Sequence, residues 1–184
     1  MSGNGLAPGF FVAVPFLADP NFAHRVVLLL EQNDDGAIGV IVNADSPLTL
    51  AELCNDHELP YQGDPEKKVR DGGPVQPEQG LVLFGAEHRD EESKEIIDGL
   101  YVSASKDTLG RLCGLDEGRF HIYSGYAGWG PGQLEREIGE GTWIIVPPDA
   151  ETVLDTPPDQ IWERVLRRAG IDPASIVPGG GAEA

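Results

Sequence analysis

The sequence predicts an α+β domain built on a mixed β-sheet, and three observations carry that prediction. Short apolar runs of strand length recur along the chain, bounded by Gly, Pro, Asn and Asp. Other segments carry helix caps and apolar residues three and four apart. The two kinds mix without the strict strand–helix alternation of a parallel α/β fold. At 184 residues the chain fits a single domain, expected over residues 10–177. A polar, Gly-bearing arm over residues 1–9 and a Gly-rich tail over 178–184 are expected to flank it.

The elements follow in order. Phe10 to Val14 is an apolar run stopped by Pro15, the first expected strand. Asp19-Pro20-Asn21 is turn chemistry. Val26 to Glu31 and Ile38 to Asn43, joined by Asn33-Asp34-Asp35-Gly36, predict a β-hairpin in which glycine supplies the positive φ. Both runs lack polar alternation, so at least one should be buried on both faces. Thr49-Leu50-Ala51-Glu52 is a capping box, with Leu48 and Leu53 at the staple positions, and opens a short helix to about residue 58. Residues 60–71, with Pro60, Gly63 and Pro65, read as a loop. Leu81 to Phe84 and Leu100 to Ser103 read as strands, separated by a carboxylate-rich excursion from Glu87 to Asp98. Ser105 is placed to cap a helix over 106–113. Phe120 to Tyr123 and Trp143 to Val146 are further strands. The last helix has Thr156 as its expected cap and Pro157 as its first residue. Its apolar stripe is Ile161, Trp162, Val165, Leu166 and Ala169, ended by Gly170.

Composition removes several function classes. Thirteen basic residues against 31 acidic ones leave a net charge of −18, which opposes direct binding to nucleic-acid phosphates. The nearest basic cluster, Arg164, Arg167 and Arg168, shares its helix with Asp159 and Glu163. No export signal opens the chain, and no apolar stretch approaches the roughly 18 residues of a membrane span. A cytoplasmic acidic protein without a membrane partner is expected. Cys54 and Cys113 match no metal or redox spacing and read as reduced, packed thiols. The histidines, His24, His57, His88 and His121, are scattered, so no metal and no cofactor are expected. Walker, dinucleotide-binding and H-E-x-x-H motifs are missing, and Ile122 stands where a nucleophile elbow at Ser124 would need glycine.

One stretch stands apart. Tyr123 to Gly132 holds four glycines, a proline, two tyrosines and a tryptophan, then gives way to helical spacing through Ile138. Pro131 is placed as the first helical residue, with Leu134 and Ile138 facing the core. A Gly-rich turn at a helix start can present backbone N–H groups to a ligand. In that reading Tyr126 and Trp129 form a wall and Gln133 selects by hydrogen bonding. The alternative is a tight turn whose tryptophan plugs the core. Asp71-Gly72-Gly73-Pro74-Val75 makes a second sharp corner, and Asn43 ends the hairpin within reach of such loops.

Asp19-Pro20-Asn21-Phe22, the hairpin block from Val26 to Asn43, Gly72-Gly73-Pro74-Val75 and the Gly125–Ile138 block together resemble the AlgH/YqgE family of small bacterial proteins. The blocks run in the family's order from about Phe10 to Val177. The resemblance implies a bifurcated, coiled mixed sheet, partly closed into a small barrel and surrounded by helices. It implies a cytosolic protein without an assigned biochemical activity, and some members are described as transcriptional regulators. Gln32 and Phe84 stand where many members carry histidine, so a shared mechanism using those histidines fails here.

The expected function is therefore a non-enzymatic module that binds a small ligand or a protein. Its expected groove is formed by Asn43, Gly72, Gly73, Tyr126, Trp129 and Gln133. The alternative class is a hydrolase-like enzyme near residues 121–133, pairing Ser124 with His121 or a carboxylate. A third is a transcriptional regulator acting through a partner protein.

Overall fold

A computed structural model describes residues 6–14, 23–115 and 118–173. The Asp19–Phe22 block and the expected tail lie outside these residues. So do residues 1–5 of the expected arm, while Leu6 and Ala7 pack against the core.

The strands are β1 (Gly9–Ala13), β2 (Val26–Asn33), β3 (Gly36–Ile41), β4 (Asp45–Thr49), β5 (Lys68–Asp71), β6 (Val75–Phe84), β7 (Lys94–Ile97), β8 (Leu100–Ser103), β9 (Phe120–Trp129) and β10 (Trp143–Val146). The helices are α1 (Leu50–Asp56), α2 (Lys106–Cys113), α3 (Gln133–Gly139), α4 (Ala150–Leu154) and α5 (Pro158–Arg168). The main sheet runs β10-β1-β2-β3-β9-β6-β8-β7 and is antiparallel throughout, while β5 joins β9 in parallel and carries β4 on its other side. This is the expected α+β domain with a curled, half-closed mixed sheet.

β9 is the strand on which the sheet divides. Along one edge its partner changes from β5, at Tyr123 and Ser124, to β3, at Ala127 to Trp129. Its facing changes as well. Tyr123 belongs to the core under α4 and α5, with Phe10, Leu28, Leu83 and Ile161. Ala127 and Trp129 belong to the opposite core, with Phe11, Leu29, Leu134 and Trp143. Residues an even number apart share a face in a regular strand, so the switch needs a break. Gly125, at φ +75°, supplies it. A third core lies under α1 and α2, around Leu50, Cys54, Val82, Phe84, Leu112 and Ile122. β1 alternates Phe10 and Val12 with Phe11 and Ala13 between two cores, which is why it reads as an unbroken apolar run.

The hairpin, the capping box at Thr49 and the Ser105 cap form as expected. Several expectations need correction. Residues 68–71 are strand rather than loop, because β5 has β9 to pair with. β4, β7 and α4 have weak local patterns and become visible only through their partners. Thr156 does not cap α5. Its hydroxyl donates to Glu151 O at 3.1 Å, closing α4, and Pro157 holds the cap position without a side-chain bond. Ala169 is the exposed C-cap of α5 rather than part of its buried stripe.

Candidate functional site

The two glycine motifs meet at the fork of the sheet. Gly72 N donates to Ser124 O at 2.8 Å, and Gly72 O accepts from Ile41 N at 2.9 Å, so this residue bridges β9 and β3. A Cβ on Gly72 would collide with Gly125 O; one on Gly73, at φ +145°, would collide with the Tyr126 carbonyl; and one on Gly125 would collide with Gly73 O. Backbone lies on backbone here. Gly72, Gly73 and Tyr126 are thus brought together, but with no space between them.

Trp129 and Gln133 belong to a neighbouring cluster. The stretch expected as a Gly-rich turn is strand up to Trp129, and Pro131 sits in the turn rather than in the helix. Gly132, at φ +73°, caps the seven-residue α3. Glu137 Oε1 accepts from both indoles, Trp129 Nε1 at 3.0 Å and Trp143 Nε1 at 2.9 Å. Glu137 Oε2 accepts from Gln133 Nε2 at 2.9 Å, and Gln133 Oε1 accepts from Gly130 N at 3.0 Å. Trp129 is 6% exposed and stacks edge-on with Trp143. Gln133 thereby closes the turn, and Trp129 fills the core. Asn43 stands apart from both groups. Its Oδ1 accepts from Val26 N at 2.9 Å and its Nδ2 donates to His24 O at 3.0 Å, fixing the chain as it enters β2.

The nucleophile–base pair considered for Ser124 and His121 does not form. The two residues lie three apart on β9 and point to opposite faces. Ser124 Oγ donates to Pro77 O, and His121 Nε2 bonds Leu154 O at 3.2 Å. Burial, reinforced by Arg70 and Lys67, holds the His121 imidazole well below its usual value. The two thiols, Cys54 and Cys113, are free and buried, and burial pushes both above the ordinary thiol value. Among the described residues no group of three or more His, Cys, Asp or Glu is arranged to hold a metal ion. No helix among them is long and apolar enough to cross a membrane.

Open space lies on the other side of Ser124. A cleft of about 470 Å³ separates α1 from α2 over the sheet. Its floor is Val69, Val82 and Ile122, and its walls are Leu48 and Leu53 on one side and Leu109 on the other. Residues Pro77 to Gln79 of β6 form a lip, because β6 bulges between Val75 and Gly80 where it runs past Gly125. The polar residues that line it are His57, Glu78, Gln79, Ser105, Lys106 and Ser124. Gly80 lines the cleft, and a Cβ built on it meets nothing within 4 Å. Sequence reasoning missed this site. The available signals were slight: an isolated glycine inside a strand pattern, and two staple leucines whose outer faces remain uncovered.

A fork strand bridged by paired glycines, with an apolar cleft beside it, defines a small α+β protein with a cavity. The family model described as AlgH-like matches residues 10–174, and the chain belongs to that family. It is 43% identical over 180 residues to a UPF0301 protein of Myxococcus xanthus, covering 96% of this chain and 97% of that one. A UPF0301 protein of Xylella fastidiosa is 38% identical over 164 residues, covering 88% and 87% of the two chains. The solution structure of AlgH from Pseudomonas aeruginosa superposes with a TM-score of 0.76 at 34% identity, covering 94% of each chain. The crystal structure of DIP2367 from Corynebacterium diphtheriae shares the fold, with a TM-score of 0.72 at 22% identity over 91% and 89% of the chains.

Proposed function

We propose that this protein is a non-enzymatic binding module and that its ligand occupies the cleft between α1 and α2. The observation that carries this reading is the cleft itself: about 470 Å³, lined mostly by apolar residues with a few polar ones among them. Sites for small molecules have that character and that size. The scattering of the titratable groups supports binding over catalysis, since Ser124 and His121 each bond a backbone carbonyl on opposite faces of β9. In this reading Asn43, Gly72, Gly73, Tyr126, Trp129 and Gln133 are the frame that holds β9 and the lip of β6 in place. The arginines of α5 support a role without direct nucleic-acid contact. Arg164 pairs with Glu151 at 3.6 Å, Arg167 with Asp172 at 3.7 Å, and Arg168 with Asp149.

Gly80→Leu tests the reading, because Gly80 lines the cleft and a Cβ there meets nothing within 4 Å. Titration with a neutral, polarity-sensitive dye such as Nile red should show saturable binding to the native protein. The variant should bind at least tenfold more weakly while melting at the same temperature. Ile145→Ser, at an exposed position of β10 outside the cleft lining, should change neither. Equal dye affinity in native protein and Gly80→Leu would remove the cleft as the site.

A further inference from the structure

Lys67 is unlike the other lysines. Lys68, Lys94 and Lys106 are exposed, whereas Lys67 is half-buried. Its backbone is held at the start of α1, where Leu50 N donates to Lys67 O at 2.7 Å. The side chain then reaches across to β9. Its Nζ donates to Phe120 O at 2.6 Å and lies 4.0 Å from the centre of the Phe120 ring. A cavity of about 150 Å³ opens beside the amine, lined by Tyr61, Gly63, Asp64, Leu115 and Gly118. The amine is thus fixed by one carbonyl and still faces a space of small-molecule size.

We propose that Lys67 is an acylation site whose amine takes the acyl group from a small acyl phosphate entering this cavity. The Nζ lone pair attacks the carbonyl carbon and an N–C bond forms. The C–O bond to phosphate breaks, phosphate leaves with that electron pair, and the amine loses one proton to solvent. Nothing is oxidised or reduced. The product is a neutral amide that keeps one N–H for Phe120 O and gives up the charge over the ring.

The surroundings favour the neutral amine that this step needs. Burial first, and then the Arg70 guanidinium of β5, lower the Lys67 value to about 8, against opposing pulls from Asp64 and from Cys113 of α2. The other groups facing it carry no countercharge. Burial pushes the Tyr61 phenol up and the His88 and His121 imidazoles down, so all three are neutral near pH 7.5. At that pH about one Lys67 amine in four is uncharged, against about one in a thousand for an ordinary lysine. Lower basicity dulls the nucleophile by roughly ten- to twentyfold if amines follow the slope known for thiols, leaving an advantage of about ten- to twentyfold.

The test is acetyl phosphate added to the purified full chain at pH 7.5, with acetylation of each lysine followed by peptide mass spectrometry. Lys67 should react about ten times faster than Lys68, Lys94 or Lys106. That ratio should fall below one as the pH approaches 10 and the exposed amines lose their protons. A ratio of one or less at pH 7.5 identifies a sheltered packing lysine and overturns the proposal. So does a ratio that fails to fall with rising pH.

Discussion

Glycines do opposite work in two regions only a few residues apart. At the fork, Gly72, Gly73 and Gly125 leave no room for a side chain: a Cβ on each would meet the backbone of another segment. At the cleft, Gly80 stands in the strand that follows Gly73, and a Cβ there would meet nothing within 4 Å. The first region is rich in sequence signal and has no space. The second has space and almost no signal. Prominent glycine and aromatic motifs here mark where chains must touch, and the candidate site lies where they diverge. The bulge in β6 links the two, since the close approach at Gly125 is what throws Pro77 to Gln79 outward to become the lip.

The largest expected effect tests the fork. Gly72→Ala and Gly125→Ala should each cost about 3 kcal/mol or more, because backbone atoms rather than flexible side chains must move. Urea unfolding followed by circular dichroism reads this directly. A loss below about 1 kcal/mol in either variant would show that the fork can relax, and the contrast with the cleft would weaken.

Which parts were legible follows from the range of the forces involved. Caps and turns act within four residues, so Thr49 with Glu52, Ser105 and the Asn33–Gly36 turn could be read from the chain itself. β5 could not, because Lys68 to Asp71 is a strand by virtue of β4, some twenty residues earlier, and β9, some fifty residues later. The Tyr123–Gly132 stretch was conspicuous, but the sequence left two readings of it open, a ligand cradle and a tight turn whose tryptophan plugs the core. In the structure Gly125 lets one strand change faces and partners, and Trp129 is buried in the core. The cleft draws its walls from α1, α2, β4, β5, β6 and β9, and no single segment carries enough of it to be seen.

A second, smaller effect separates frame from site at Trp129. Its indole and that of Trp143 share one oxygen of Glu137, and Gln133 holds the other. Glu137→Ala removes the acceptor from two largely buried donors and should cost about 2 kcal/mol, while dye binding in the cleft stays unchanged. A loss of dye binding with little loss of stability would move the site towards Trp129 and Gln133.

The smallest effect is the most informative about how the two regions communicate. Ser124 sits on the strand side of the cleft, and its hydroxyl donates to Pro77 O across the mouth of the bulge. Replacing it with alanine removes one exposed hydrogen bond and should cost about 1 kcal/mol or less. The glycine contacts at the fork do not involve that hydroxyl, so the fold should persist. What should change is the lip. With Pro77 released, amide exchange at Glu78 and Gln79 should quicken in Ser124→Ala, while exchange at Ile41, whose N–H is held by Gly72 O, stays as in the native protein. Faster exchange at Ile41 as well would mean that lip and fork open as one unit, and that the cleft is part of the frame rather than a separable site beside it.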